Sequence, residues 1–145
     1  MVTSITRSGA GEALPVLGTE VRFLCPVADT NHRFSIMEVR LPRDKGPPPH
    51  DHPWDEAYYV IEGEVRFRIG ADVQVFRAGD FVYAPGGTVH AFSGVSEHPA
   101  RVLVVDAPAA AEQFFREVAR QAITLPRDGA KLLQLGLQHQ LRFAP

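Results

Sequence analysis

The chain has 145 residues, of which 45% are hydrophobic and 22% charged, with a formal net charge of -2 and a pI near 6.3. That length suits one folded unit with its own core, and the composition excludes wholesale disorder. The mild negative charge offers no basic field to phosphate backbones or anionic lipid heads, so neither nucleic acid nor a membrane surface is an expected partner.

Cys25 is the single cysteine, which excludes an intrachain disulfide and leaves the thiol as a small hydrophobe. The N-terminal stretch lacks the apolar run of a signal peptide, and no segment has the length to span a bilayer, so a cytoplasmic location is expected.

Twelve glycines and twelve prolines punctuate runs rich in Val, Ile, Phe and Tyr, the grammar of many short strands. In chain order we expect strands at 21–25, 34–41, 57–61, 65–69, 73–77, 81–84, 90–93 and 101–106. GEVRFRIG and ADVQVFRAGD alternate with period two around Gly70 to Asp72, which predicts a hairpin. After Pro108 the period changes. Ala111, Phe114, Phe115, Val118, Ala119 and Ala122 recur at helical spacing, predicting a helix that packs on the strands or on a second subunit. The last residues, from Pro126, are expected to add a short helix around 131–138 or to drape over the surface, with no catalytic signal. One unit, 1–145, follows: N-terminal strands over 1–33, a barrel core over about 34–106, and a helical segment over 107–145.

Chemistry concentrates in GPPPHDHPWDEAYYVIEG. His50 and His52 are two residues apart and so share a face of an extended strand, and Glu56, four further on, keeps that parity. His90, in GGTVHAF, adds a third imidazole from another strand. Three neutral nitrogens and a carboxylate suit one divalent transition metal ion: iron, manganese, nickel, cobalt, copper or zinc. His32, His98 and His139 have no partners at ligand spacing. Trp54, Tyr58, Tyr59, Phe67, Phe81, Tyr83 and Phe92 lie in or beside the strands, and as a set suggest a pocket for a flat, largely apolar small molecule with one or two oxygen donors. Tyr58, Phe67 and Phe92 are the candidates for its wall.

These residues resemble the two signature motifs of the cupin superfamily. His50, His52, Glu56 and Gly63 fall at the positions of the first motif; Gly79, Pro85, Gly87 and His90 fall at those of the second, with 15 residues between Gly63 and Gly79. Two positions depart from the pattern: Gly46 precedes His50 by four residues rather than six, and Gly94 stands where asparagine is common. The resemblance implies an all-β double-stranded β-helix, or jelly-roll, barrel with a C-terminal helix, and His50, His52, Glu56 and His90 as metal ligands. A looser resemblance, over most of the chain, is to small single-domain bacterial cupins of the quercetin-dioxygenase-like kind. It implies a dioxygenase in which the metal binds an enolate or phenolate, Glu56 accepts the hydroxyl proton and dioxygen cleaves a carbon–carbon bond. Lewis-acid isomerisation, cyclisation, decarboxylation or lyase chemistry, or binding without catalysis, are the alternatives. The resemblance also implies a homodimer, with the strand at 21–25 as the edge that pairs with a neighbour.

Overall fold

The computed structural model describes residues 3–144, so the ends of the expected unit, residues 1, 2 and 145, lie outside the described residues. Short runs of β-branched and aromatic residues pair into two antiparallel sheets. The strands are β1 (Ala13–Val16), β2 (Thr19–Cys25), β3 (Ser35–Leu41), β4 (His50–Asp51), β5 (Asp55–Glu62), β6 (Glu64–Ile69), β7 (Asp72–Arg77), β8 (Phe81–Ala84), β9 (His90–Gly94) and β10 (Ala100–Ala107). Helices α1 (Ala111–Arg120) and α2 (Gly129–Gln138) follow, then β11 (Arg142–Phe143). One sheet runs β1-β2-β3-β10-β5-β8 and the other β11-β4-β9-β6-β7.

All eight expected strands are present, and the expected hairpin forms with Ile69 opposite Asp72. Period-two alternation decides what each strand buries: Glu56, Tyr58 and Val60 of β5 point inward while Tyr59 is exposed. The two inner faces meet in one core, where Tyr58 packs on Phe67 and Phe92 at ring separations of 5.1 and 5.3 Å. This is the all-β barrel with a helical C-terminus that the sequence predicts, although that terminus holds two helices and a further strand. Among the described residues no helix is long and apolar enough to cross a membrane.

Three details correct the sequence reading. The strand at 21–25 has a neighbour on its outer side at its start, because β1 pairs with Thr19 to Arg22 of β2, with Leu14 opposite Val21. Ala122 lies beyond α1, exposed, with a φ of 49°, so the apolar face is carried by Ala111, Phe114, Phe115 and Val118. The short helix expected around 131–138 forms as α2, and the residues after it pair with β4 as β11 rather than draping over the surface.

The start of α1 is fixed from a distance. Ala110, at its N-cap, offers no side-chain acceptor. The fully buried Asp106, at the end of β10, accepts instead from the Ala110 and Ala111 N–H groups at 3.3 and 3.2 Å, and from the Ser35 hydroxyl. One carboxylate thus ties β3, β10 and α1 together. Its own pKa is raised, because burial outweighs these donors.

Candidate metal centre

His50 pairs directly opposite His90 in the β4–β9 register, and β4 ends there because Pro53 interrupts the chain before β5 resumes at Asp55. The turn before β9 closes with Thr88 N–H donating to Pro85 C=O at 3.1 Å, and Gly87 N–H donates to His52 C=O at 2.8 Å, so the two motifs are tied to each other by backbone. The result is that His50, His52 and His90, all buried, place ligand atoms within 4.8 Å of one another.

Each ring has a fixed proton. The Nδ1 atoms of His50, His52 and His90 lie 2.8, 3.0 and 2.8 Å from the carbonyl oxygens of Pro48, Trp54 and Thr88. A carbonyl can only accept, so Nδ1 carries the hydrogen and Nε2 keeps its lone pair. That is the outer-shell arrangement of a metal-ligating histidine. Burial, and then the neighbouring His90, bring His50 down to about 4, which leaves it neutral at neutral pH.

Glu56 falls outside the trio's 4.8 Å set but faces it, with oxygens 3.2 Å from His52 Nε2 and 3.6 Å from His90 Nε2. Burial alone would push its carboxyl up; the His52 and His90 rings reverse this and hold it well below the usual carboxylate range. Its oxygens are further occupied by Trp54, whose indole N–H donates at 3.1 Å, and by the Tyr58 hydroxyl. Trp54 also stacks on His52 at 4.1 Å with the planes 4° apart.

The donor set fits a metal ion. With Nδ1 protonated on every ring, the Nε2 atoms of His52 and His90 are buried without a hydrogen-bond partner, and they face a carboxylate that also can only accept. Lone pairs converging on lone pairs in a dry interior cost several kcal/mol unless a cation or a proton lies among them. A divalent ion would satisfy all of them at once.

The centre borders a small cavity of about 50 Å³, room for a few waters. His50, Glu56 and Phe92 line it with Val16, Leu17, Met37, Phe114, Phe115 and Phe143, and among the described residues no lysine or arginine does. Phe143 of β11 forms part of its wall, opposite His50 with ring centres 5.6 Å apart. Arg142 bonds Asp51 at 2.8 Å, and Ala144 N–H donates to Pro49 C=O at 2.7 Å.

Of the expected pocket residues, Phe92 lines this space. Tyr58 and Phe67 do not: they are fully buried in the core, Tyr58 with its hydroxyl on Glu56. Tyr59, Phe81 and Tyr83, grouped with them in sequence, point outward and are exposed. Trp54 and Tyr58 as donors to Glu56, and Phe143 as a wall, were missed. Period-two parity from Glu56 marks both donors, whereas a two-residue strand such as β11 carries no periodic signal.

The two motif departures have a steric reason. A Cβ on Gly46 would stand 1.8 Å from Phe92 O, and one on Gly94 would stand 2.4 Å from Leu41 O. The β3–β4 connection lies backbone to backbone on β9, with Asp44 N–H donating to Gly94 C=O at 2.9 Å. Only glycines allow that approach. Cys25 is half-buried, and burial pushes its thiol up, away from nucleophilic character.

Comparison with known proteins places this geometry. The profile of the Cupin domain family matches residues 37–106. Over 117 residues the chain is 26% identical to a quercetin 2,3-dioxygenase of Bacillus subtilis (strain 168), covering 79% of this chain and 34% of that protein, so it spans about a third of that relative's length. The solved structure of the polyketide cyclase RemF from Streptomyces resistomycificus aligns with a TM-score of 0.63 and 25% identity, over 74% of this chain and 80% of RemF. An RmlC-like cupin from Shewanella frigidimarina gives a TM-score of 0.67 at 19% identity, over 78% of this chain and 96% of that one, a likeness of fold. Both motifs, the two-sheet barrel and the buried histidine trio coincide in one molecule, and the chain belongs to the cupin superfamily.

Proposed function

We propose that the protein is a metal-dependent dioxygenase acting on a small, largely apolar substrate that carries an enol or a phenol. The observation that carries this reading is the convergence of three Nε2 lone pairs and an ionised Glu56 beside a cavity whose wall is otherwise largely apolar. His50, His52 and His90 would hold one divalent ion, with Glu56 as its fourth ligand or beside it as a base. Such an ion, as iron, manganese, nickel, cobalt or copper, would polarise the substrate's oxygen donors and permit reaction with dioxygen.

Glu56 is ionised over the neutral range, the starting state a proton acceptor needs. Because Trp54 and Tyr58 both donate to it, its basicity is low, and it can take a proton only from an acidic hydroxyl. An enol or a phenol is acidic enough; an aliphatic C–H is not. With no cationic side chain in the wall, a carboxylate or phosphate away from the metal would find no partner, which disfavours sugar phosphates and diacids. The cavity is smaller than such a substrate as it stands, so side chains of its wall have to shift to admit one.

The test is dioxygen uptake by metal-loaded protein in an electrode cell, with flavonols, β-diketones and related enolisable compounds. Uptake that is abolished in Glu56→Gln is expected. No uptake with any of them would overturn the reading. The likeness to RemF favours a second one, in which the same centre promotes ring closure as a Lewis acid without oxygen; turnover unchanged under anaerobic conditions would select it.

A further inference from the structure

The exposure of the residues lining the metal cavity shows where it meets solvent. Among the described residues of its wall, Leu17, Pro47, Phe115 and Phe143 are half-buried and all the others are buried. These four, from the β1–β2 turn, the β3–β4 connection, α1 and β11, ring its mouth. Resting on the reading of this cavity as the substrate site, we infer that Leu17 is its gate, the specificity-determining residue whose displacement sets the width of the molecule admitted.

Three of the mouth residues stand on backbone that resists movement. Pro47 opens a run of three prolines, whose rings fix φ and keep the chain extended. Phe115 lies in the middle of α1, and Phe143 is paired opposite His50. Leu17 is placed differently. Val16 pairs with Thr19, so Leu17 and Gly18 alone make the hairpin turn, with φ of 51° and 81°. Positive φ at both positions is the type I′ pattern, in which Asn-Gly is the favoured pair. A leucine there crowds its Cβ against backbone oxygen and, unlike asparagine, has no polar group to bond locally in compensation.

What offsets that strain lies on the cavity side, where the Leu17 side chain forms part of the wall and packs on the core. The base of the turn is firm, because the buried Thr19 hydroxyl donates to Val16 C=O at 2.6 Å. Its tip is not. The three heavy atoms nearest a Cβ built on Gly18 would all belong to the stem of the exposed Lys45, the closest at 3.1 Å, and such a stem swings away easily. Entry of an aromatic ring into a space of about 50 Å³ requires the wall to yield, and the turn is the part of the mouth with a strained residue, a glycine beside it and a flexible neighbour. A gate of this kind admits narrow molecules with a small excursion of Leu17 and wide ones only with a large one, so it discriminates by rate.

Stopped-flow absorbance with the metal-loaded full chain under argon tests this without turnover, using 4-nitrocatechol as a narrow ligand and the flavonol quercetin as a wide one. A gate scales entry and exit together, whereas an ordinary wall contact changes exit alone. Leu17→Asn creates the favoured Asn-Gly pair and should keep or raise the melting temperature. It is expected to speed both association and dissociation of quercetin at least about tenfold, with Kd within about threefold of wild type and a smaller effect on 4-nitrocatechol. Leu17→Phe, which keeps an apolar side chain at the turn, should slow both steps. Unchanged rates in both variants would overturn the gate, as would faster dissociation with association unaltered; either result would leave the cavity as a site for phenols. A wild type that binds neither compound would remove the cavity from that role, and the gate with it.

Discussion

Replacing Tyr58 by Phe removes one oxygen atom from the centre of the molecule and nothing else. The ring keeps its contacts with Phe67 and Phe92, and no space larger than a hydroxyl opens. What is lost is the donor to Glu56, the hydroxyl's sole hydrogen-bond partner among the described residues. A hydrogen bond to a buried charged group contributes about 2 kcal/mol, and here the acceptor left behind has only His90 Nε2 near it, at 3.6 Å, so a loss near the full amount is expected. In a domain of this size that lowers the melting temperature by roughly 8 °C. The Glu56 carboxyl should also rise, since one of the groups favouring its ionised form is gone. Urea unfolding of chelator-treated protein measures the first effect. Making the same change in a Glu56→Gln background should recover most of it, as in a double-mutant cycle. A Tyr58→Phe protein within about 0.5 kcal/mol of wild type would refute the role given to this hydroxyl.

Elemental analysis of protein purified without chelator should find one transition-metal ion per chain, and His90→Ala or His52→Ala should lose it; metal retained in both would remove the centre. Metal-free stability should depend on pH with opposite signs at its two ends. Burial lowers the His90 pKa but the close approach and charge of the Glu56 carboxylate raise it beyond its usual 6.5, so its contribution is whole below that value and disappears as pH climbs through the folded one. Glu56 is held below its usual 4.5, so its contribution is present above that value and is lost as acid carries pH through the folded one. A urea series across pH should therefore peak in the weakly acidic to neutral range, and Glu56→Gln should flatten both limbs. Asp106→Ala strands the Ser35 hydroxyl and the first two N–H groups of α1, and a loss of about 3 kcal/mol is expected, seen by thermal melting with the α1 helix signal fraying first.

The ligands were legible because metal chemistry restricts residue type and spacing together: His50 and His52 share a face by parity, and the turn at Pro85 to Gly87 announces His90. The eight long strands were legible for the same reason, since each buries alternate residues. Burial depth was not. Parity separates Tyr58 from Tyr59, but only sheet order decides that Tyr58 lies inside the core, Phe92 against the cavity, and Phe81 outside on an edge strand. The strand at 21–25 has the composition of an edge or of an interior strand, and β1, four residues long and holding Pro15, is too short to announce itself as its neighbour. The long-range ties, Asp106 to α1 and β11 to β4, join residues whose meeting no local pattern encodes.

The strap at β11 makes the far end of the chain a thermodynamic partner of the metal. Both act on β4: Phe143 and Ala144 hold its backbone and that of Pro49, while His50 is drawn from the other side. If docking β11 steadies His50 for the ion, then by reciprocity the ion must hold β11 down by the same factor. Amide hydrogen exchange at Leu141 to Ala144 would therefore slow when metal binds, and a change made at the C-terminus to loosen the strap would be read out as weaker metal affinity at a site whose own residues it leaves untouched.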